Sequence, residues 1–180
     1  GDSVTAFVPS IYAFRNIGFD IVAPNTVVKY TIRLLDINLL DEQYSDFDDY
    51  AMDKGYFEDM EVNEFYGTRF VRHEEGSGDQ IEQNDLVYLF YDGQLLNGDQ
   101  FDTNFGQLFP FEVTIGAGRV ISGFEMGLLN LYEGDSATIF IPSNYGYKDQ
   151  PQEDGQGNVI IPANSPIVFG LKIVDVVKNN

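Results

Sequence analysis

The chain contains an internal repeat, and this restricts the folds open to it more than any other feature of the sequence. Residues 1–14 (GDSVTAFVPSIYAF) and 134–147 (GDSATIFIPSNYGY) are identical at eight of fourteen positions. The similarity resumes between residues 25–37 and 164–176, and the later copy carries six extra residues in the intervening loop. A repeat of this kind indicates two structural units of the same type.

The repeat predicts one partial and one complete copy of a domain. Residues 1–40 correspond to the later half only, so the chain would begin inside the first copy, whereas residues 65–180 hold a complete copy. At 180 residues the chain has room for one ordinary domain and part of a second.

Residues 41–64 would be an acidic linker between the copies. Tyr44, Phe47 and Ala51 fall at helical spacing, which predicts an amphipathic linker helix over residues 41–54. The aspartates of this segment suggest calcium, but the glycine that a calcium-binding loop needs at its sixth position is missing. A solvated acidic face is therefore the better interpretation, and no metal site is expected.

Alternating apolar and polar residues predict β-strands in both copies. The partial copy has two, over residues 4–8 and 28–34. The complete copy has five, over residues 68–73, 86–91, 111–115, 137–141 and 167–177.

One short helix is predicted between the third and fourth strands of the complete copy. Ser122 and Glu125 have the spacing of a capping box, in which each side chain bonds a backbone N–H near the other. Phe124, Leu128 and Leu131 recur on one face of this helix. Five strands and one helix indicate an α+β fold in which the sheet wraps around the helix.

Charge and composition exclude several classes of function. The net charge of −19 makes nucleic acids and acidic lipid surfaces poor partners. The absence of cysteine removes disulfides, thiolate catalysis and the common structural zinc sites. No apolar run approaches the ~20 residues that a membrane-spanning helix requires.

The residue sets of common catalytic sites are also missing. His73 is the only histidine, so catalytic triads and metal-assisted hydrolysis lack their usual parts. The segment 116–118 lacks the third glycine and the basic residues of a phosphate-binding loop. We therefore expect no cofactor, and a function that depends on shape and apolar surface.

An ordered series of short motifs resembles the FKBP-type peptidyl-prolyl isomerases. The series covers residues 66–178, and each motif is weak alone whereas the ordered set is specific. It comprises Tyr91-Asp92-Gly93, Asn97-Gly98, Phe101-Asp102, Pro110-Phe111, Ile115-Gly116, Val120-Ile121-Ser122-Gly123-Phe124-Glu125, Gly134-Asp135, Ile141-Pro142, Tyr145-Gly146-Tyr147, Ile160-Ile161-Pro162 and Ile167-Val168-Phe169. The resemblance implies an antiparallel sheet curled around one short helix, in agreement with the strand and helix pattern.

The resemblance also implies an apolar pocket that holds proline. Its walls would be Tyr91, Phe101, Phe111, Tyr147 and Phe169, its floor Phe124, and its rim Val120, Ile121 and Ile161. Asp102 would be the one buried carboxylate and would orient the amide together with the Tyr147 hydroxyl. The backbone N–H of Ile121 would meet a substrate carbonyl.

Three functions remain open at this point. The first is isomerisation of Xaa–Pro bonds in protein substrates, and the second is a non-catalytic module that binds peptides or acts as a chaperone. The third is a structural subunit in which the acidic linker and an exposed strand edge mediate assembly. Phe124 occupies the floor position where the family commonly has tryptophan, and an acidic loop over residues 148–158 would overhang the pocket. Tight binding of macrolides is therefore not assumed.

The sequence also leads to expectations about the partial copy, the binding partners and the cellular location. Residues 1–40 lack counterparts of most pocket residues and would leave strand edges unpaired, so they are expected to dock on the intact domain or to self-associate. Proline-containing polypeptides are the expected partners. A bacterial cell envelope, periplasmic or lipid-anchored, is favoured over the cytoplasm because the family includes such tandem members.

Overall fold

A computed structural model of the chain describes residues 3–8, 28–33, 38–63 and 68–179. The chain divides into two compact units, Gly1–Asp41 and Glu42–Asn180. None of the helices in the described ranges has the length and apolar character needed to cross a membrane.

The first unit contains two described strands. Strand β1 (Ser3–Val8) pairs antiparallel with β2 (Val28–Arg33), so that Ser3 lies opposite Arg33 and Val8 opposite Val28. Both strands were predicted to within one residue. Most of the residues that connect them lie outside the described part of the chain.

The second unit is built on a seven-stranded antiparallel sheet. Its strands are β3 (Met60–Val62), β4 (Arg69–Glu74), β5 (Leu86–Leu95), β6 (Gln100–Thr103), β7 (Phe111–Thr114), β8 (Ser136–Ile141) and β11 (Ile167–Val177). The order is β3-β4-β8-β11-β5-β6, and β7 also pairs with β5. A separate hairpin joins β9 (Gln152–Glu153) to β10 (Val159–Ile161). The five predicted strands are present, and β3, β6, β9 and β10 were not predicted.

A helix covers the outer face of this sheet. Helix α1 (Asn38–Lys54) begins three residues before the predicted 41–54. Its side chains Phe47 and Ala51 are completely buried, and the Phe47 ring packs edge-on against Phe140 of β8, with 5.4 Å between centroids. The segment 41–64, expected as a linker, thus supplies a packed helix and, through β3, an edge strand to the second unit.

The short helix α2 (Ser122–Leu128) lies against the inner face of the sheet. Phe124, Leu128 and Leu131 are all buried, as their spacing predicted. Gly127 permits a close approach to β8, because a Cβ there would lie 2.6 Å from the Ile139 Cδ1 atom.

The predicted capping box at the start of α2 is wrong. The N-cap is Ile121, in extended conformation, and Ser122 is the first helical residue. The Ser122 hydroxyl instead donates to the Tyr145 carbonyl (3.4 Å), and Glu125 accepts a hydrogen bond from the Gly118 N–H (3.2 Å). Both side chains therefore tie neighbouring loops to the helix rather than to each other.

The central strand β8 shows how the two helices share one sheet. Residues Ala137 to Ile141 are all buried, where a sheet with one face in water would show alternation. Ala137, Ile139 and Ile141 belong to the inner cluster around α2, and Phe140 belongs to the outer cluster beneath α1. Continuous burial follows because each face is covered by its own helix.

Candidate active site

A cavity of about 490 Å³ opens on the inner side of the second unit. We call this cavity and the residues around it the cup. They are Tyr91, Asp102, Phe111, Gly118, Arg119, Val120, Ile121, Phe124, Tyr147 and Phe169. Five of them are aromatic, and the volume lies within the range of about 300–1,000 Å³ that is typical of small-molecule sites.

The aromatic rings of the cup hold one another in place. Phe124 packs edge-on against Phe169 at 4.9 Å between centroids, and Tyr91 packs edge-on against Phe111 at 5.5 Å and Phe169 at 6.0 Å. Edge-to-face contacts are the favoured geometry for aromatic pairs. Phe124 is 4% exposed and lines the cavity, so this part of the cup is apolar.

Tyr91 is positioned through the backbone of β5. Its N–H donates to the Asn104 side-chain carbonyl (2.6 Å), and its own carbonyl accepts from the Asn104 N–H (3.1 Å) and the Thr103 hydroxyl (2.9 Å). Asn104 is buried and also donates to the Leu89 carbonyl. This network fixes the strand at the point from which the Tyr91 ring enters the cup.

Gly93 makes room for two rings behind the cup. A Cβ at this position of β5 would lie 2.6 Å from the Phe101 ring and 2.7 Å from the Phe169 ring. The absence of a side chain therefore allows Phe101 and Phe169 to pack edge-on at 5.6 Å between centroids.

Asp102 is exposed, which corrects the expectation that it is the one buried carboxylate. It lies on β6 and accepts a hydrogen bond from the Tyr91 hydroxyl (2.8 Å). The buried carboxylates of the described residues are Asp85 and Asp135, which stabilise loops away from the cup. β6 is an edge strand, so the Asp102 side chain reaches the rim and remains in contact with water.

The two tyrosines of the cup keep their protons over a wide pH range. Burial, followed by the hydrogen bond to Asp102 and its negative charge, raises the pKa of Tyr91 to about 12. Burial and the charge of Asp102 also raise the pKa of Tyr147. Both phenols are therefore hydrogen-bond donors at physiological pH.

The backbone N–H of Ile121 is available to a ligand. Ile121 is the N-cap of α2 and lines the cup, and its N–H donates to no group within the described ranges. A free N–H beside an apolar cavity provides one directional contact for a carbonyl oxygen.

The structure brings eight of the ten sequence-predicted site residues around the cup and leaves two behind it. Phe101 is half-buried and packs on Phe169, and Ile161 is buried in the inner cluster at 2% exposure, so neither lines the cavity. Gly118 and Arg119 line it without having been predicted. Arg119 forms no ion pair with any described residue, and its position before Val120 was the only signal in the sequence.

The acidic loop over residues 148–158 was expected to overhang the cup, and none of the lining residues comes from it. It folds into a turn in which Asp154 accepts hydrogen bonds from the backbone N–H groups of Gln156 (2.8 Å) and Asn158 (2.9 Å). The hydrogen bond from the Asn158 side chain, followed by these two backbone bonds, holds the pKa of Asp154 below its usual value.

A second, shallower depression of about 590 Å³ lies on the outer face of the sheet. It includes His73, whose imidazole lies 2.8 Å from the Thr138 hydroxyl and whose pKa is lowered by burial. Phe105 is its only phenylalanine and it has no tyrosine, so it lacks the converging aromatic walls of the cup. The described residues include no cluster of three or more histidine or acidic side chains that could hold a metal ion.

Comparison with known proteins gives one consistent family. A family model described as FKBP-type peptidyl-prolyl cis-trans isomerase matches residues 78–174. FK506-binding protein 2 of Dictyostelium discoideum is 36% identical over 97 residues, covering 54% of this chain and 69% of that protein. FK506-binding protein 1 of Candida glabrata is 32% identical over 111 residues, covering 61% of this chain and 93% of that protein.

A bacterial relative and two solved structures extend the comparison. The probable FKBP-type peptidyl-prolyl cis-trans isomerase FkpA of Neisseria meningitidis is 36% identical over 110 residues, and the match covers 61% of this chain but only 38% of that protein. The crystal structure of AtFKBP13 is similar with a TM-score of 0.58 and 27% identity, over 64% of this chain and 97% of that one. A peptidyl-prolyl cis-trans isomerase from Pseudomonas syringae, at 20% identity, TM-score 0.60 and coverage of 82% and 99%, supports the fold alone.

Proposed function

We infer that the cup is the site of peptidyl-prolyl cis-trans isomerisation, because this chain belongs to the FKBP-type peptidyl-prolyl cis-trans isomerase family. The observation that carries the assignment is the cavity itself. Five aromatic rings surround an open space of about 490 Å³ instead of closing into a solid core. The cup would accept the proline ring of a polypeptide substrate.

The apolar walls suit the chemistry of the reaction. Resonance holds the Xaa–Pro amide planar, with a rotation barrier of roughly 18–20 kcal/mol. Twisting the bond removes that resonance and makes the amide less polar, so a water-poor cavity disfavours the planar ground state more than the twisted transition state. About 6 kcal/mol of such preference corresponds to roughly 10⁴-fold in rate. No covalent bond is made or broken.

The polar groups of the cup would orient the amide. The Ile121 N–H is the donor for a substrate carbonyl, and the Tyr147 hydroxyl is a second donor at the wall. Asp102 acts through Tyr91, whose ring it holds by the hydrogen bond at 2.8 Å. Because Asp102 is exposed, its role in this proposal is to position Tyr91 and to place negative charge at the rim.

The proposed function is tested by measuring cis–trans exchange of the peptide Ala-Leu-Pro-Phe by NMR, with and without the protein. We expect faster exchange with the parent chain. Phe169→Ala removes a wall of the cup and lowers kcat/KM by more than about tenfold, since losing ~1.4 kcal/mol of transition-state stabilisation is a tenfold change. Asp102→Ala lowers it by less, because the aspartate contacts the cup from its rim.

Two matched controls separate the cup from general damage. Phe57→Ala removes a partly exposed phenylalanine outside the cup, and Asp175→Ala an exposed aspartate on β11. Both are expected to keep the parent rate. If the parent chain accelerates nothing while NMR shows the peptide bound in the cup, the second function, a non-catalytic binding module, replaces the first.

For the first unit, we propose that residues 1–40 are the later half of a second FKBP-like copy. The strand pairing supports it, because β1 and β2 have the same register as their sequence counterparts in β8 and β11. Val8 lies opposite Val28 as Ile141 lies opposite Ile167, and Ser3 opposite Arg33 as Ser136 opposite Lys172. All six residue pairs of β1 and β2 correspond in this way.

Amide hydrogen exchange tests this assignment. Paired strands predict slow exchange at alternate amides of residues 3–8 and 28–33, and fast exchange throughout both strands would overturn the assignment.

Sedimentation at several protein concentrations tests whether the unit also mediates self-association. A bacterial envelope location is proposed only on the resemblance to FkpA, and localising a tagged full-length protein by cell fractionation tests it.

A further inference from the structure

The loop between β6 and β7 carries the two most exposed large apolar side chains of the described residues. Leu108 is 91% exposed and Phe109 is 80% exposed, and we call this pair the apolar tip. No residue from 104 to 110 is charged, although the chain carries a net charge of −19. Exposure of such side chains to water is unfavourable, and exposed apolar surface marks contact sites.

Both ends of this loop belong to the cup. The loop leaves the sheet after Asp102 and Thr103 and returns at Phe111, and Asp102 and Phe111 both line the cavity. Leu108 lies three residues before Phe111, and three residues span at most about 11 Å. The apolar tip therefore lies within about 11 Å, along the backbone, of a residue that lines the cup, although no residue from 104 to 110 lines the cavity itself.

The distance between the cup and the apolar tip limits which ligands could contact both. An extended polypeptide advances about 3.3 Å per residue. With a proline in the cup, side chains three or four positions away lie about 10–13 Å along the chain, which matches the reach of the loop. The flanking residues of the bound polypeptide are thus the nearest available partner for the tip.

We propose that the apolar tip is a second contact surface for the polypeptide whose proline occupies the cup, and that it binds apolar side chains three or four residues from that proline. The inference rests on the proposed function and extends it to substrate choice. The occupant is a segment of the same polypeptide because Asp102 and Phe111, at the two ends of the loop, line the cup and Pro110 alone separates the tip from Phe111. The uncharged loop in an acidic protein favours neutral, apolar segments over acidic ones.

The test compares two decapeptides with a central Leu-Pro, which differ only in having leucine or serine three and four positions on both sides of the proline. We expect the parent chain to prefer the leucine peptide by about tenfold in kcat/KM, since partial burial of one or two apolar side chains has this magnitude. The double variant Leu108→Ser/Phe109→Ser loses the preference. It retains the parent rate on Ala-Leu-Pro-Phe, which is too short to reach the tip.

The matched control is Val62→Ser, which removes another exposed apolar side chain at the opposite edge of the sheet and keeps the preference. Equal rates on the two decapeptides in the parent chain would overturn the inference, and so would an unchanged preference in the double variant. Neither result affects the proposed function, which is tested separately by the rate on the tetrapeptide Ala-Leu-Pro-Phe. Sedimentation provides a further check. Self-association that disappears in the double variant would assign the tip to a second copy of the chain and overturn the inference as well.

Discussion

The inner and outer faces of the seven-stranded sheet are packed in different ways. On the inner face a large apolar cluster closes around α2, but its aromatic members leave the cup open at one end. On the outer face a small cluster lies beneath α1, and its centre is the buried Phe47–Phe140 pair. The same sheet therefore supports an aromatic cavity on one side and a close helix contact on the other.

This difference separates stability from function. A closed cluster contributes through buried apolar area, whereas a cavity leaves aromatic surface without protein contacts and reserves it for a ligand. Substitutions beneath α1 are expected to lower the free energy of unfolding with little effect on the rate per folded molecule. Substitution of Asp102 at the exposed rim of the cup is expected to do the reverse, whereas Phe169 also belongs to the buried inner cluster, so its removal affects both rate and stability.

Phe47→Ala is expected to have the largest effect among the substitutions that test this separation of stability from function. Phe47 is fully buried, so its removal leaves a cavity beneath α1 and lowers the free energy of unfolding by about 3–5 kcal/mol. Urea denaturation measures the loss. Phe57→Ala, the same substitution at a side chain that is 38% exposed, is the control and is expected to cost less than about 1 kcal/mol. A large fall in kcat/KM of the folded Phe47→Ala variant would break the comparison.

Gln43→Ala tests a place where α1 reaches the segment that leads to the cup. The buried Gln43 amide donates to the Ser143 hydroxyl and the Asn164 carbonyl, both at 2.9 Å, and accepts from the Ser143 N–H at 2.8 Å. Ser143 and Asn164 in turn hydrogen-bond the backbone of Lys148, next to Tyr147. Leaving these groups unpaired is expected to cost about 1–3 kcal/mol of stability and, unlike Phe47→Ala, to raise KM by displacing Tyr147.

The control for Gln43→Ala lies one residue earlier on the same helix. Glu42 is exposed, so Glu42→Ala is expected to change the free energy of unfolding by no more than about 0.5 kcal/mol. Denaturation curves and peptide kinetics on both variants give the comparison. An unchanged KM in Gln43→Ala would show that the outer helix acts on stability alone.

Local patterns in the sequence predicted most of the fold. Alternation found the strands of both copies to within a few residues, and the spacing of Phe124, Leu128 and Leu131 found the buried face of α2. The short strands β9 and β10 and the edge strands β3 and β6 were missed, because two to four residues hold too little periodicity to be recognised. The ordered motifs pointed to the rings of the cup, since each ring occupies a fixed place relative to a strand.

Long-range contacts were less predictable. The spacing of Phe47 and Ala51 indicated an amphipathic helix, but the sequence does not show that its partners are the outward side chains of β4, β8 and β11. The capping box failed because Ser122 bonds the Tyr145 carbonyl, 23 residues away, and Glu125 bonds the Gly118 N–H in the preceding loop. The exposure of Asp102 depends on its place on an edge strand, which no local pattern reports.

Tyr91→Phe removes a single hydroxyl from the cup and is expected to have a smaller effect than the substitutions above. The hydrogen bond from the Tyr91 hydroxyl to Asp102 is lost, while the ring and its contacts with Phe111 and Phe169 remain. A net contribution of about 0.5–1.5 kcal/mol predicts a fall in kcat/KM of at most about tenfold. A larger fall, measured by peptide exchange, would show that the hydroxyl contacts the amide directly.

The pH dependence gives the smallest and most specific effect. The pKa of Tyr91 is about 12 in the folded protein and 10.0 for an ordinary tyrosine, so the unfolded chain loses this proton first. The stabilisation linked to this proton is complete below about pH 10 and is lost as the pH rises towards 12. Between these values the parent chain is expected to lose more stability than Tyr91→Phe, in urea titrations at fixed pH values. Parallel curves for the two proteins would mean that the Tyr91 hydroxyl is not shielded by the cup.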